Sequence, residues 1–186
     1  MDVYKEIAKQ SYEMYPLHKI GDYELVHTTP SIKFYKKGND IIIGIRGTAT
    51  FEDVKADAFL GLKHLEKSNR FQKDLSIVQN FQSKYPKSEF TYTGAGHSLG
   101  GAILDLLLER KLISKAKSYN PAIASSGVQN ERIYNESDPL YKLMGKFDKN
   151  AEIRKNTSSA FTDLLSYTSP LFATIKGFQA HKLENI

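Results

Sequence analysis

The stretch Phe90–Leu112 decides the fold of this chain and has the sequence FTYTGAGHSLGGAILDLLLERKL. Phe90–Thr93 is typical of a β-strand, and Ala102–Leu112 is a strongly apolar helical run. Between them lies Gly96-His97-Ser98-Leu99-Gly100, where glycines flank a serine. The pattern Gly-x-Ser-x-Gly arises by chance in roughly one chain in fifteen of this length, so the flanking strand and helix carry the prediction. A sharp strand–turn–helix connection of this kind lifts a serine hydroxyl above the edge of a sheet.

Strand and helix patterns alternate on both sides of this turn. Ile32–Tyr35 and Ile41–Ile45 are predicted to form a hairpin around the turn at 37–40, and the second of these strands is apolar on both faces. The alternation predicts a single α/β domain over residues 1–186, with a mostly parallel central sheet, an antiparallel edge hairpin and helices on both faces. The other predicted strands are 23–27, 90–93, 116–119 and 132–135, and the predicted helices are 2–15, 51–66, 70–84, 102–112 and 159–167.

The composition excludes several classes of function. The chain has no cysteine, which excludes disulfides, thiolate catalysis and cysteine-ligated zinc. Its formal net charge of +5 comes from scattered lysines, a pattern typical of a solvated surface and not of nucleic-acid binding, although it fits transient contact with an anionic lipid surface. No apolar run reaches the length of a membrane span or of a signal segment. We therefore expect an intracellular protein, or one whose signal precedes this numbering.

A serine hydroxyl needs a general base to become a nucleophile, and histidine is the usual one. One known arrangement that has a serine on such a connection follows the chain order serine, then acid, then histidine, and the base is fixed if this chain follows that order. His181 is the one histidine that follows Ser98, so it is the predicted base. The other histidines are expected to have surface, core or packing roles: His18, His27, His64 and His97.

The acid that orients the base is less constrained. Asp138 follows the predicted strand 132–135 and precedes Pro139, which places it in a loop at the carboxyl end of a strand. Reactive residues of such sheets gather at that edge. Glu136 and Asp148 are the alternatives. Asp105 and Glu109 lie within the helix after Ser98 and are expected to point away from the site.

Two backbone donors are expected to bind the oxyanion of an acyl-transfer intermediate. The N–H of Leu99 lies at the start of the helix after Ser98, where the helix dipole adds positive charge. The second donor is expected from Thr48, in Arg46-Gly47-Thr48 at the end of the predicted strand Ile41–Ile45. One such donor typically lowers the barrier by about 3–4 kcal/mol. Arg46 is expected to brace this loop by ion pairing.

These segments together resemble the class 3, fungal-type lipase family of the α/β-hydrolase superfamily. The matching segments occur in order over roughly 40–183, and each resembles a family motif: Ile43-Gly44-Ile45-Arg46-Gly47-Thr48, Gly96-His97-Ser98-Leu99-Gly100-Gly101, Tyr119-Asn120-Pro121, Ser137-Asp138-Pro139 and His181-Lys182-Leu183. The chain is unusually short for the family, and the spacings from Ser98 to Asp138 and on to His181 are compressed. The family places a lid helix after the segment that matches Thr48; here 51–65 serves either as that lid or as a fixed core helix.

The resemblance implies an α/β-hydrolase-like fold and a serine hydrolase that cleaves carboxylic esters through an acyl-enzyme. It implies lipid esters, acylglycerols or phospholipids, as the substrate, and no metal or organic cofactor. Two other functions stay open on the sequence: an acyltransferase that uses the same site, and a non-catalytic binding or structural protein that retains the fold.

Overall fold

The structure, a computed structural model, describes residues 1–47, 62–145, 148 and 151–154. Its centre is one eight-stranded sheet in which the strands adjoin one another in chain order. The strands are β1 (Lys19–Ile20), β2 (Tyr23–Thr28), β3 (Ile32–Lys37), β4 (Asp40–Ile45), β5 (Thr91–His97), β6 (Lys115–Tyr119), β7 (Asn130–Asn135) and β8 (Ala151–Arg154).

The sheet changes from antiparallel to parallel at β4. Strands β1 to β4 pair in antiparallel fashion, whereas β4 to β8 make four successive parallel pairings. The predicted fold class, a mostly parallel α/β sheet with an antiparallel edge, is confirmed. The antiparallel edge is larger than the predicted hairpin, because β1 and β2 extend it.

The described helices begin at residues that satisfy their first free N–H groups. Asp2 accepts a hydrogen bond from the N–H of Lys5, and Ser68 accepts one from the N–H of Phe71, so both act as N-caps. The helices are α1 (Val3–Gln10), α2 (Asn69–Lys84), α3 (Leu99–Glu109) and α4 (Pro139–Leu143), with a 3₁₀ helix at Leu62–Lys67.

The isoleucines of β4 separate two cores on opposite faces of the sheet. Ile41, Ile43 and Ile45 belong to the core that packs under α2 and α3, while Ile42 belongs to the core that packs under α1 with Ile7. Adjacent side chains of a strand point to opposite faces, so helices cover both faces of the sheet, as predicted.

Two predicted helices differ from the structure. The helix predicted over 2–15 ends at Gln10, where Ser11 follows as the C-cap and its hydroxyl donates to the carbonyl of Ala8; Met14, expected to face inward, is 81% exposed. Of the helix predicted over 51–66, residues 51–61 lie outside the described residues and the remainder is 3₁₀ helix. The helix predicted at 159–167 also lies outside them.

No helix in the described ranges combines the length and the apolar character that crossing a membrane requires.

Candidate active site

Ser98 occupies a strained turn between β5 and α3. Its backbone has φ 55° and ψ −126°, a conformation that residues other than glycine rarely adopt. Backbone bonds hold it there: the N–H of Ser98 donates to the carbonyl of Tyr119, and its own carbonyl accepts from Gly101 and Ala122. The side chain is 2% exposed, and its Oγ has no hydrogen-bond partner among the described residues. A buried hydroxyl held in a strained turn without a partner is available for chemistry.

Close approach of the backbone around Ser98 requires glycine at two positions. A Cβ on Gly100 would collide with the carbonyl of Ile45, which shows how tightly the start of α3 packs against the end of β4. A Cβ on Gly47 would lie 2.6 Å from the carbonyl oxygen of His97 and 3.0 Å from the Cβ of Ser98. The loop after β4 therefore touches the serine turn directly.

Tyr12, just beyond α1, ties this loop to the serine turn. Its hydroxyl accepts a hydrogen bond from the N–H of Gly47 at 3.1 Å and lies 2.7 Å from Nδ1 of His97. Burial raises the pKa of Tyr12 to about 12, so the hydroxyl keeps its proton at neutral pH and can donate it to Nδ1. His97 thus has the supporting role expected for it, whereas the sequence did not indicate any role for Tyr12.

Of the two predicted oxyanion donors, Leu99 and Thr48, the structure describes only Leu99. Leu99 is the first residue of α3, so its N–H belongs to the first-turn donors that no carbonyl four residues earlier in the helix satisfies. Thr48 lies outside the described residues. The N–H of Gly47 is already bound to Tyr12, so a donor from this loop must come from a later residue, as the prediction of Thr48 requires.

The expectation that Arg46 braces its loop by ion pairing stays a prediction, because the acids that follow it in the loop, Glu52, Asp53 and Asp57, lie outside the described residues. The guanidinium of Arg46 lies over the ring of Tyr12, 5.9 Å from the centroid, and it forms no ion pair among the described residues. The main chain of Arg46 does brace the loop, since its carbonyl accepts from the guanidinium of Arg70 at 2.5 Å. Arg70 is itself anchored to Asp74 at 2.7 Å.

Asp138 lies at the same edge of the sheet as Ser98. It follows β7, two strands from β5, is fully buried and acts as the N-cap of α4. Its Oδ1 accepts from the N–H groups of Leu140 and Tyr141 at 2.7 and 3.2 Å. The side chain of Asn120, at the end of β6, accepts from the N–H of Asn135 and so holds the end of β7 in place.

The alternative acids have other surroundings. Glu136 is exposed on the loop after β7. Asp148 pairs with Nη1 of Arg132 at 3.0 Å, and Asp105 pairs with Nη2 of the same guanidinium at 2.9 Å. Burial raises the pKa of Asp105, and Arg132 opposes that shift. His181 lies outside the described residues, so its distance to any of these acids stays a prediction.

Two cavities adjoin the sheet at opposite edges. The larger one, of about 580 Å³, lies at the amino ends of β5 to β7, away from Ser98. The smaller one, of about 400 Å³, lies on the α1 side of the carboxyl edge and is lined by residues that include Tyr12, Lys33 and Arg46. Within the described part of the chain, no three His, Asp or Glu side chains converge as a metal site.

The solved structures that are similar to this chain include fungal lipases. A lipase from Rhizopus microsporus var. chinensis is 16% identical over 74% of this chain and 65% of its own length, with a TM-score of 0.47. A mutant form of MDLA from Penicillium cyclopium is 19% identical over 84% of this chain and 78% of that one, with a TM-score of 0.48. A further fungal lipase is 17% identical over 85% and 79%, also with a TM-score of 0.48.

This chain thus spans about two thirds of the length of the Rhizopus lipase. No protein-family model matches the chain. No curated protein matches it either.

Proposed function

We propose that this chain is a serine hydrolase that cleaves carboxylic esters, with Ser98 as the nucleophile. The observation that carries the proposal is the state of Ser98: a buried hydroxyl without a hydrogen-bond partner among the described residues, on a backbone with φ 55° between a parallel strand and a helix. Backbone strain of this kind costs on the order of 1–3 kcal/mol and persists where function requires it. The unpartnered hydroxyl favours a reactive role over a purely structural turn.

The surroundings of Ser98 suit the stabilisation of an oxyanion. The N–H of Leu99 at the start of α3 and the positive end of the helix dipole lie beside the serine. In the proposal, Leu99 and Thr48 supply the two N–H groups that bind the oxyanion, and Tyr12 holds the Gly47 loop against His97 so that the second donor is in place.

The proposed base is His181, oriented by Asp138. The ends of β5 and β7 are separated by one strand, roughly 10 Å, and one imidazole with a hydrogen bond of about 2.8 Å at each end bridges a comparable gap. His181 takes the proton of Ser98 as Oγ attacks the ester carbonyl, and Asp138 stabilises the imidazolium. The alcohol leaves with that proton, and water then releases the carboxylic acid from the acyl-enzyme.

Membership of the class 3 lipase family is part of the proposal, as are lipid esters as the substrate and a single domain over 1–186. The sequence motifs around Thr48, Ser98, Asp138 and His181 support it. No metal or cofactor enters the mechanism, because the acyl-enzyme route needs only the side chains named here.

The test is labelling by a fluorophosphonate probe, which reacts only with an activated serine. We expect the wild-type protein to be labelled and the labelled peptide, identified by mass spectrometry, to contain Ser98. Ser98→Ala should not be labelled, while Ser114→Ala, which changes a serine before β6 at the opposite edge of the sheet, should be labelled like the wild type. Equal labelling of the wild type and Ser98→Ala, or none of either, would contradict the proposal.

Nitrophenyl esters of increasing acyl length, with and without added alcohols, then separate the related activities. Hydrolysis that extends to long-chain esters above their micellisation point supports a lipase. Transfer of the acyl group to an added alcohol in preference to water would make the protein an acyltransferase.

A further inference from the structure

The cavity of about 400 Å³ beside Tyr12 contains an unusual pair of cations. Lys33 of β3 and Arg46 after β4 both line it. Ile32 and Phe34 face the core under α2 and α3, so Lys33, between them on the strand, points to the α1 face where Tyr12 lies. Two positive side chains therefore converge on one cavity at the carboxyl edge of the sheet.

Lys33 is buried without a counter-ion in the described part of the chain. It is 3% exposed, and its ammonium donates to the carbonyl of Thr29 at 2.6 Å. Burial, with the positive charge of Arg46 nearby, lowers the pKa of Lys33. Neither cation forms an ion pair there. Glu13 also lines the cavity but is exposed.

Arg132, the other buried cation among the described residues, has different surroundings. Arg132 is held by two carboxylates, Asp105 and Asp148, at 2.9 and 3.0 Å. A buried charge is unfavourable unless it is paired, so Arg132 is satisfied by the fold itself. Lys33 and Arg46 have no such carboxylate among the described residues, and an anionic ligand could supply the missing charge.

The cavity lies next to the proposed reaction centre. Arg46 immediately precedes Gly47, where an added Cβ would lie 2.6 Å from the carbonyl oxygen of His97 and 3.0 Å from the Cβ of Ser98. Tyr12 lines the cavity and also contacts His97. An anion bound by Lys33 and Arg46 would therefore lie at the same edge of the sheet as Ser98, beside the loop that packs against the serine turn.

Exposed apolar side chains lie at the cavity and close to it in the chain. Met14 lines the cavity and is 81% exposed, and Tyr15 and Leu17, close by in the chain, are 89% and 53% exposed. Exposed apolar groups beside a cationic pocket suit a ligand that carries both an anion and acyl chains.

We propose that Lys33 and Arg46 bind the phosphate group of a glycerophospholipid whose acyl ester is the bond attacked by Ser98. This rests on the proposed function and assigns its substrate class. The guanidinium can bind two phosphate oxygens and the ammonium a third. The phosphodiester stays intact: the bond that breaks joins the acyl carbonyl carbon to the glycerol oxygen, and the lysophospholipid leaves as the alcohol.

Binding is tested separately from catalysis, with Ser98→Ala and inorganic phosphate as the probe in isothermal titration calorimetry. We expect saturable binding that Lys33→Met and Arg46→Gln each weaken at least about tenfold, because a hydrogen bond between charged groups is worth that much. Glu13→Gln should strengthen binding, since it removes the negative side chain that lines the cavity. This opposite sign keeps the test decisive if Lys33→Met does not fold. Lys115→Met, a change of an exposed lysine at the amino end of β6, should have no effect.

Substrate choice is tested with dioctanoylphosphatidylglycerol and dioctanoylglycerol, which carry the same acyl chains. We expect the wild type to favour the phospholipid in kcat/KM, and Lys33→Met and Arg46→Gln to lower the ratio of the two kcat/KM values at least about tenfold, while Lys115→Met leaves that ratio unchanged. Preferred hydrolysis of the diacylglycerol, with no phosphate binding, would overturn this inference and leave the proposed function standing.

The remaining outcomes also separate the two proposals. Phosphate binding that depends on Lys33 without hydrolysis of either ester would support the anion site and contradict the proposed function. Phosphate binding with no preference for the phospholipid would mean that the site takes free phosphate, which would overturn the assignment of the substrate class.

Discussion

Helix α3 connects two buried polar regions that differ in the hydrogen bonds their side chains form. At its start, Ser98 combines a strained backbone with a hydroxyl that has no hydrogen-bond partner among the described residues. Farther along the helix, Asp105 accepts from the N–H groups of Ala124 and Ser125 and from the side chains of Asn130 and Arg132. The same helix thus carries a strained, unsatisfied group and a carboxylate with four hydrogen bonds.

The difference indicates which polar groups stabilise the fold. A buried carboxylate that is hydrogen-bonded and ion-paired joins elements of the structure, and Asp105 joins α3 to the loop after β6 and to β7. The hydroxyl of Ser98 joins no two elements among the described residues. We therefore expect changes in the Asp105–Arg132 pair to affect stability, and changes at the Ser98 edge to affect activity.

Asp138 is the strongest test of this contrast, because it is hydrogen-bonded like Asp105 but lies at the Ser98 edge. Asp138→Asn keeps an oxygen that can cap α4, while it removes the charge that would stabilise the imidazolium of His181. We expect kcat for a nitrophenyl ester to fall about 10⁴-fold with little change in Tm, measured by steady-state kinetics and thermal denaturation.

Two variants serve as controls for Asp138. Asp138→Ala should lose the same activity and, because the cap is removed as well, about 1 kcal/mol of stability. Glu136→Gln should keep normal activity. If Asp138→Asn stays active and Glu136→Gln does not, the acid is Glu136.

Arg132→Met is expected to have the largest effect on stability. It leaves Asp105 buried without its cation, so the free energy of unfolding at neutral pH should fall by about 3–5 kcal/mol, measured by urea denaturation. Glu152→Gln, which breaks an exposed pair with Arg154, should change it by less than about 1 kcal/mol.

The loss in Arg132→Met should also depend on pH. Burial raises the pKa of Asp105, and Arg132 opposes this shift. The pKa of Asp105 should therefore be still higher in Arg132→Met. A carboxyl whose pKa is raised in the folded state stabilises the fold while it is protonated. The loss in free energy of unfolding should therefore be small at acid pH and should grow as the pH rises through the pKa of Asp105 in the folded state. The rate per folded molecule should equal that of the wild type; a reduced rate would mean that the network also supports the site.

Tyr12→Phe should affect activity more than stability. It removes the hydroxyl that joins Gly47 to His97, so the proposed oxyanion donor after Gly47 is less well held, and we expect kcat/KM to fall about tenfold, near the value of one hydrogen bond. Tyr4→Phe is the matched control, because the Tyr4 hydroxyl links the same N-terminal segment to the sheet, by donating to Thr93 at 3.0 Å, but away from Ser98. Equal losses of activity in the two variants would show a general loosening of α1.

The sequence predicted the parts of this molecule that depend on local pattern. The apolar run of β4, the glycines around Ser98 and the position of Asp138 after a strand each follow from a short segment. Tyr12 was missed because its contact with His97 spans 85 positions, and helical periodicity alone extended α1 past it. Strand β8 was missed because Ala151–Arg154 is short, partly charged and half exposed, so it carries no apolar alternation.

Arg46 shows a related limit of prediction from sequence. A charged residue after a strand suggests an ion pair, but the actual partners depend on which elements meet in three dimensions. Within the described residues, Asp74 on α2 pairs with Arg70, and the guanidinium of Arg46 lies over the ring of Tyr12. Ion-pair partners are tertiary information, because they depend on helix packing and not on local pattern.

The difference in stability between Ser98→Gly and Ser98→Ala is the smallest predicted effect. It is also the most direct measure of the strain at the turn. Glycine adopts φ 55° without the clash of a Cβ, so this variant should be about 1 kcal/mol more stable to urea than Ser98→Ala, although both lack activity. Lys111→Gly is the matched control, because Lys111 also has a positive φ, 54°, but lies beyond the other end of α3. The free energy of unfolding of Lys111→Gly should exceed that of the wild type by a similar or smaller amount, and this variant should stay fully active. If Ser98→Gly is no more stable than Ser98→Ala, the turn stores no strain, and the contrast between the two ends of α3 rests on the unpartnered hydroxyl alone.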